Sequence, residues 1–182
     1  MTKLDEIRRV EAQADRLYSD DQVRQSIERV AQAITAELGE TNPLVLTVLN
    51  GGIPFAGILL MRLPFPLQLD SIQATRYRGS TSGEEIVWLH RPHTPISERT
   101  VLIVDDILDE GVTLAEIVRY CREQGAAKVY TAVLVDKQIG RERPCRADFV
   151  GLEAANRYLF GYGMDYKTYL RNAGGIFACD NT

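Results

Sequence analysis

Apolar residues recur at two kinds of spacing along the chain, and the spacing separates predicted helices from predicted strands. Near the N-terminus they lie three and four residues apart, over residues 4–17 and again over residues 23–38, which predicts two amphipathic helices. Ser19 and Gln22 form a capping-box pattern at the start of the second helix, and Gly39 is a natural end for it. We assign no chemistry to either helix.

Strands are predicted where β-branched and aliphatic residues form unbroken runs or alternate with polar ones. The predicted strands cover residues 43–49, 67–77, 85–89, 101–104, 129–135, 148–152 and 176–178. Helical patterns over residues 53–60 and 114–124 separate some of them. Strands that alternate with helices predict an α/β domain with a mostly parallel sheet flanked by helices.

The composition is that of an ordinary soluble globular protein. Of the 182 residues, 45% are apolar and 25% are charged, which allows one domain with a full core. Twenty-one basic and twenty-five acidic side chains give a net charge of −4, which argues against broad nucleic-acid binding. No apolar run is long enough to span a membrane, and the polar N-terminus is not typical of a signal peptide. We therefore expect no nucleic-acid and no membrane partner.

The cysteines and histidines argue against a zinc site. Cys121, Cys145 and Cys179 are widely spaced and odd in number, no Cys-x-x-Cys occurs, and the chain has only two histidines. This usage fits a reducing, cytoplasmic location.

The richest stretch for chemistry lies between the predicted strand 101–104 and the helix that follows it. It holds three aspartates and then a short loop, in the order Asp105, Asp106, Asp109, Glu110, Gly111, Val112 and Thr113. The helix N-terminus offers free N–H groups and positive dipole charge to an anion. Adjacent carboxylates can chelate a divalent cation or accept hydrogen bonds from a sugar diol. An ordinary turn with capping acids is the alternative, but capping accounts for only one of the acids.

This turn resembles the signature of the type I phosphoribosyltransferases, which bind phosphoribosyl pyrophosphate (PRPP) through a hydrophobic run, two acids and a phosphate loop. The resemblance implies that Asp105 and Asp106 hold the ribose diol and Mg²⁺, and that residues 110–113 hold the 5′-phosphate. Asp109 would be the catalytic base. Glu110 stands where the family has serine or threonine, so we expect its side chain to turn out of the loop.

A second resemblance lies after the predicted strand 43–49. In the purine enzymes of the family a leucine, a basic residue and a glycine contact pyrophosphate here. Leu49 and Gly51 match, whereas Asn50 replaces the basic residue. We expect Asn50 and Gly51 to bind through backbone N–H groups. A plain strand–turn–helix connection is the alternative.

The C-terminal half resembles the 6-oxopurine (hypoxanthine-guanine) branch of the family, through Asp136-Lys137 and the stretch Gly-Tyr-Gly-Met-Asp-Tyr at 161–166. The implied purine contacts are Lys137 to the 6-oxo group, Tyr158 by stacking, Leu159 through its backbone, and Asp165, which would face the purine or the metal. Arg171 would contact pyrophosphate. Taken alone, these residues are as typical of a solvated strand end or an aromatic edge strand.

A polar hairpin loop over residues 76–84 carries Arg76, Tyr77 and Arg78. The resemblance makes it the mobile lid over the reacting centre; a solvated hairpin tip is the alternative.

The resemblance covers residues 43–178 and implies a type I phosphoribosyltransferase fold, with residues 1–182 as one domain. Terminal segments would form a small hood over the carboxyl ends of the strands. The implied reaction converts hypoxanthine or guanine and PRPP to IMP or GMP and pyrophosphate, with Mg²⁺, in a homo-oligomer (dimer or tetramer). Two alternatives stay open: an enzyme for xanthine, adenine or a pyrimidine, and a PRPP-sensing regulator on the same fold.

Overall fold

The computed structural model describes residues 2–77 and 85–179, and it contains four helices and nine strands within those ranges. The helices are α1 (Lys3–Gln13), α2 (Asp20–Leu38), α3 (Gly52–Leu60) and α4 (Val112–Glu123). The strands are β1 (Asp15–Ser19), β2 (Leu44–Val48), β3 (Gln68–Tyr77), β4 (Glu85–His90), β5 (Thr100–Leu108), β6 (Lys128–Gln138), β7 (Phe149–Ala155), β8 (Leu159–Phe160) and β9 (Gly175–Ala178).

The main sheet has six strands in the order β4-β3-β2-β5-β6-β7, and only the β3–β4 pair is antiparallel. Alternate residues of a strand face opposite sides of a sheet, and on β2 both sides are buried. Leu44 and Leu46 pack in the cluster that contains Leu114 of α4, whereas Val45 packs in the cluster that contains α2 and α3. Helices therefore cover both faces, as a parallel sheet requires.

Local signals place the helices that cover the sheet. The predicted capping box of α2 is present: the Gln22 amide donates to Ser19 Oγ, and the Ser19 amide donates to Gln22 Oε1. The helix ends at Leu38, with Gly39 as its C-cap, as predicted. The apolar face of α2 is buried, with Ile27 at 0% exposure. Burying a side chain of this kind contributes roughly 1.5–3 kcal/mol to the stability of the fold.

The terminal segments form a separate antiparallel sheet in the order β1-β9-β8, which we call the hood. Two tyrosines, one on β1 and one just after β8, connect the hood to the rest of the fold. The Tyr18 hydroxyl donates to the Glu153 carbonyl at 2.6 Å, and the Tyr162 hydroxyl donates to the Asp20 carboxylate at the start of α2. The α/β fold with a mostly parallel sheet and a hood is therefore confirmed, while the single domain of residues 1–182 stays a prediction.

Two shifted boundaries and one additional strand are the main differences from the sequence expectation. The first helix stops at Gln13, and Leu17 lies on β1 because this segment pairs with β9 far along the chain. Strand β5 continues through the acidic pair to Leu108, because β6 continues to pair beside it. The two-residue strand β8 was not predicted. No helix in the described ranges is long and apolar enough to cross a bilayer.

Candidate active site

A cavity of about 410 Å³ lies where the parallel strands β2, β5 and β6 end, beneath the hood. This is the edge at which α/β sheets bind ligands. It is lined by the predicted residues Asn50, Gly51, Arg76, Asp105, Asp106, Asp109, Glu110, Gly111, Val112, Thr113, Lys137, Tyr158, Leu159, Asp165 and Arg171, and also by residues without a predicted role, among them Ala74, Leu114 and Met164.

The acidic pair occupies the end of β5. The Asp106 amide donates to Asp105 Oδ1 at 2.9 Å, and Asp106 is 8% exposed. Burial raises the pKa of Asp105, and the Asp106 charge raises it further. Burial also raises the pKa of Asp106, against the lowering effects of its hydrogen bond with Asp105 and of the Arg171 charge. A half-buried carboxylate, Asp105, beside a buried one, Asp106, therefore favours the arrival of positive charge.

These oxygens fit Mg²⁺, a hard cation that takes oxygen ligands and usually keeps several waters. Within the described ranges no group of three or more His, Cys, Asp or Glu side chains is placed to hold a metal. Asp105 and Asp106 would thus supply only part of a coordination shell. Asp165 lines the same cavity, but one of its oxygens pairs with Arg171 at 2.7 Å and the other accepts the Thr168 amide.

A glycine allows the turn after β2 to approach the acidic pair closely. A Cβ atom on Gly51 would lie 2.1 Å from Asp106 Oδ2, so position 51 has no room for a larger residue. Asn50 and Gly51, the predicted pyrophosphate contacts, therefore face the cavity beside Asp106.

The predicted phosphate loop is the connection between β5 and α4. Gly111 has φ of 78° and serves as the N-cap of α4, which has no side-chain cap. Residues 110–113 line the cavity. The loop thus presents a helix N-terminus to the cavity, the arrangement that binds anions.

Glu110 pairs with two arginines at this loop. Its carboxylate accepts from Arg76 Nη1 at 2.5 Å and also from Arg141, and its side chain is 33% exposed. The hydrogen bond and charge of Arg76, aided by Arg141, lower the pKa of Glu110. From the sequence we expected the Glu110 side chain to turn out of the loop, with neither arginine named as its partner; Glu110 lines the cavity together with Arg76.

Asp109 and Lys137 form a salt bridge, with 2.9 Å between Lys137 Nζ and Asp109 Oδ2. The Lys137 side chain is 12% exposed and that of Asp109 is 46% exposed. The pair forms because β5 and β6 are adjacent parallel strands, with Leu108 opposite Asp136. The sequence predicted both residues, but not their contact.

On the hood side, Tyr158 is 52% exposed and stands edge-on to Tyr166, with ring centroids 5.7 Å apart. Leu159 is buried in β8. Arg171 donates to the Gly163 carbonyl at 2.5 Å. Tyr158, Leu159 and Arg171 line the cavity opposite the phosphate loop.

Of the predicted lid, only its base is described. Arg76 lies at the end of β3 and lines the cavity, and Tyr77 is the last residue of that strand. Arg78 and the rest of the loop lie outside the described residues.

A family model, described as the phosphoribosyl transferase domain, matches residues 13–167. The chain belongs to the phosphoribosyltransferase family. Among its relatives, this phosphoribosyltransferase is 32% identical over 157 residues to a hypoxanthine-guanine phosphoribosyltransferase of Bacillus subtilis, covering 86% of this chain and 87% of that protein.

Two solved structures of Trypanosoma cruzi hypoxanthine phosphoribosyltransferase resemble this phosphoribosyltransferase with a TM-score of 0.84 and 27% identity. One is a lysine-to-arginine point mutant complexed with the product IMP, and the match covers 93% of each chain. The other concerns the role of the C-terminal region in the oligomeric state and activity of that enzyme, and the match covers 91% of each chain.

Proposed function

We propose that this phosphoribosyltransferase is a purine-salvage enzyme that transfers the 5-phosphoribosyl group from PRPP to hypoxanthine or guanine. The products are IMP or GMP and pyrophosphate. The observation that carries the proposal is the Asp109–Lys137 pair, which lies in one cavity with the acidic pair and the phosphate loop. The activities named for the relatives, and the IMP complex of the T. cruzi enzyme, support the same substrates.

PRPP binds along β5 and the turn after β2. The backbone of residues 110–113 and the Thr113 hydroxyl hold the 5′-phosphate, aided by the dipole of α4. Asn50 and Gly51 face pyrophosphate, and Arg171 supplies positive charge to it. The ribose diol binds at Asp105 and Asp106, which would also hold Mg²⁺. When bound, Mg²⁺ neutralises charge on the pyrophosphate leaving group.

The purine binds between Lys137 and the hood. The Lys137 ammonium donates to the 6-oxo group, Tyr158 stacks on the ring, and the Leu159 backbone reaches the base edge. A fixed donor leaves a 6-amino group unpaired, so Lys137 selects against adenine. Asp165, now held by Arg171, faces the purine or the metal.

Asp109 takes the proton from purine N7 as the new bond forms. Its carboxylate is engaged with Lys137 in the structure. Arrival of a purine gives the ammonium a second acceptor and frees a carboxylate oxygen for N7. Arg76, Tyr77 and Arg78 close over the centre as the lid.

We also propose a cytoplasmic homo-oligomer, a dimer or a tetramer. No disulfide joins the three cysteines within the described ranges, which fits a reducing compartment. Ile53 and Leu69 are more than half exposed and line an apolar groove of about 440 Å³ beside α3. A second copy of the chain is the proposed occupant, because apolar side chains exposed together in one groove favour burial against an apolar partner surface. Sedimentation velocity tests this: a monomer at micromolar concentration would contradict it.

A spectrophotometric assay with hypoxanthine, guanine, xanthine and adenine, each with PRPP and with or without Mg²⁺, tests the activity. Turnover of hypoxanthine or guanine that depends on Mg²⁺ is expected. Preference for xanthine or adenine would reassign the base, and PRPP binding without turnover of any base would favour a PRPP-sensing protein.

A further inference from the structure

The connection between β6 and β7 packs against the turn 108–111, which contains Asp109. Every second side chain over residues 141–145 contacts this turn. Arg141, Arg143 and Cys145 are two residues apart, and each contacts part of the turn 108–111. Their partners there are the Glu110 carboxylate for Arg141, the carbonyls of Leu108 and Asp109 for Arg143, and the Gly111 carbonyl for Cys145. The sequence analysis gave this connection no role.

Arg143 is the member of the series that reaches two strands at once. Its Nη1 donates to the carbonyls of Leu108 at 3.1 Å and Asp109 at 3.3 Å at the end of β5, and to the Lys137 carbonyl at 3.2 Å on β6. The side chain is only 14% exposed. One buried cationic group therefore holds the backbone of both Asp109 and Lys137.

Asp136 balances the charge of Arg143. Its Oδ1 lies 2.7 Å from Nη1, yet within the described ranges this oxygen accepts no hydrogen bond, so the contact is charge pairing off the N–H direction. The Asp136 side chain is 19% exposed. Because Nη1 directs its hydrogens at the carbonyls, the carboxylate supplies charge without competing for the donors.

We propose that Arg143 is a positioning residue for base recognition and proton transfer, an inference that rests on the proposed function. On one edge of the free purine base, the 6-oxo oxygen, which accepts from Lys137, lies next to the N7–H group, which donates to Asp109. Lys137 and Asp109 must therefore keep a fixed separation to serve both atoms, and Arg143 sets it by tying their carbonyls together. Supporting groups of this kind fix the geometry of functional side chains.

Steady-state kinetics of Arg143→Met test this role, because methionine keeps an unbranched apolar stem and removes every donor. We expect kcat/KM for hypoxanthine and guanine to fall on the order of 10–100-fold, as displaced catalytic groups do. The dissociation constant for PRPP should stay within about twofold of the wild-type value, since the described hydrogen bonds of Arg143 go to Leu108, Asp109 and Lys137 and none goes to residues 110–113. Arg146→Met is the matched control, because Arg146 is exposed on the same connection.

Arg143→Lys keeps the charge beside Asp136 but replaces the fork with one ammonium group, so we expect an intermediate loss. It also carries the test if the methionine variant fails to fold. Combining Arg143→Met, or Arg143→Lys in that case, with Lys137→Ala separates positioning from general destabilisation. The effect on the Michaelis constant for purine should shrink when Lys137 is absent, whereas general destabilisation would add to it.

Wild-type kcat/KM for purines in Arg143→Met, or in Arg143→Lys if only that variant folds, would overturn the inference. So would equal losses of purine turnover and PRPP affinity. Wild-type protein that turns over neither hypoxanthine nor guanine would instead refute the proposed function, and this inference with it.

Discussion

A Cβ atom on Gly163 would lie 1.9 Å from the carbonyl oxygen of Gly51, so the hood side of the cavity rests directly on the turn after β2. Gly163 also has φ of 105°, a backbone conformation that residues with a side chain rarely adopt. This close approach joins the proposed purine side of the cavity to its proposed pyrophosphate side.

Gly163→Ala is therefore expected to lower the free energy of unfolding by roughly 1–3 kcal/mol, the range for a strained backbone position. It should lower kcat/KM as well, because the segment at Gly163 must move away from Gly51. Urea unfolding and the steady-state assay measure both. Gly174→Ala is the matched control, since a Cβ there meets nothing within 4 Å. Equal behaviour of the two variants would refute this account of the contact.

Asp109→Asn is expected to lower kcat by roughly 10²–10⁴-fold while PRPP affinity changes little, because asparagine keeps the shape but cannot accept the N7 proton. Single-turnover measurements with hypoxanthine separate chemistry from product release. Near-full turnover in this variant would mean that a group other than Asp109 is the catalytic base.

Lys137→Ala should raise the Michaelis constant for hypoxanthine and guanine. The lost charged hydrogen bond should weaken the binding free energy of the base by on the order of 1–3 kcal/mol. The Michaelis constant for PRPP is the internal control and should stay near its wild-type value. An unchanged constant for both bases would remove Lys137 from the purine site.

The contact between Tyr162 and Asp20 gives the fold a pH dependence at its acid limit. The hydrogen bond from Arg24, and then that from Tyr162, lowers the pKa of Asp20, while burial and the Asp20 contact raise the pKa of Tyr162 to about 12. A lowered carboxyl pKa contributes stability above its unfolded value of about 3.9, and this is lost as pH falls through the folded pKa.

Asp20→Asn should thus cost up to about 1 kcal/mol at pH 7, discounted because the Asp20 side chain is 41% exposed. The cost should diminish as pH falls through the lowered pKa of Asp20, because the wild-type carboxyl then becomes protonated. Urea unfolding between pH 2 and pH 7 measures the difference, with the exposed Asp21→Asn as control. A cost that is constant over this range would contradict the electrostatic account.

Much of the fold follows from local signals, and its exceptions arise from long-range pairing. The capping box at Ser19 and the strand runs are local, so they were predictable. Leu17 fits a helical stripe but lies on β1, because β9 supplies a pairing partner that no local pattern shows. The Asp109–Lys137 contact likewise depends on which strands are adjacent. Arg143 acts through its donors on carbonyl groups, and such contacts leave no side-chain motif.

The Glu110 carboxylate is held between Arg76 and Arg141. An unpaired carboxylate about 4 Å from a phosphate charge would cost roughly 4 kcal/mol per charge pair at an effective dielectric of about 20. The two guanidinium groups offset that charge, so Glu110 does not oppose anion binding at the loop.

Glu110→Ala should consequently change PRPP affinity by less than about tenfold, because it removes one negative charge and also releases two arginines from it. Thr113→Val should weaken affinity by roughly tenfold or more, since a hydrogen bond to a charged phosphate contributes about 1.5–3 kcal/mol and valine keeps the shape of threonine. Calorimetric titration with PRPP and Mg²⁺ measures both, and Glu110→Gln separates charge from packing. Affinity that rises more than about tenfold in Glu110→Ala would mean that the carboxylate repels the phosphate despite its partners. Affinity that falls further in Glu110→Ala than in Thr113→Val would mean that the arginine cluster, rather than the helix N-terminus, supports the phosphate loop.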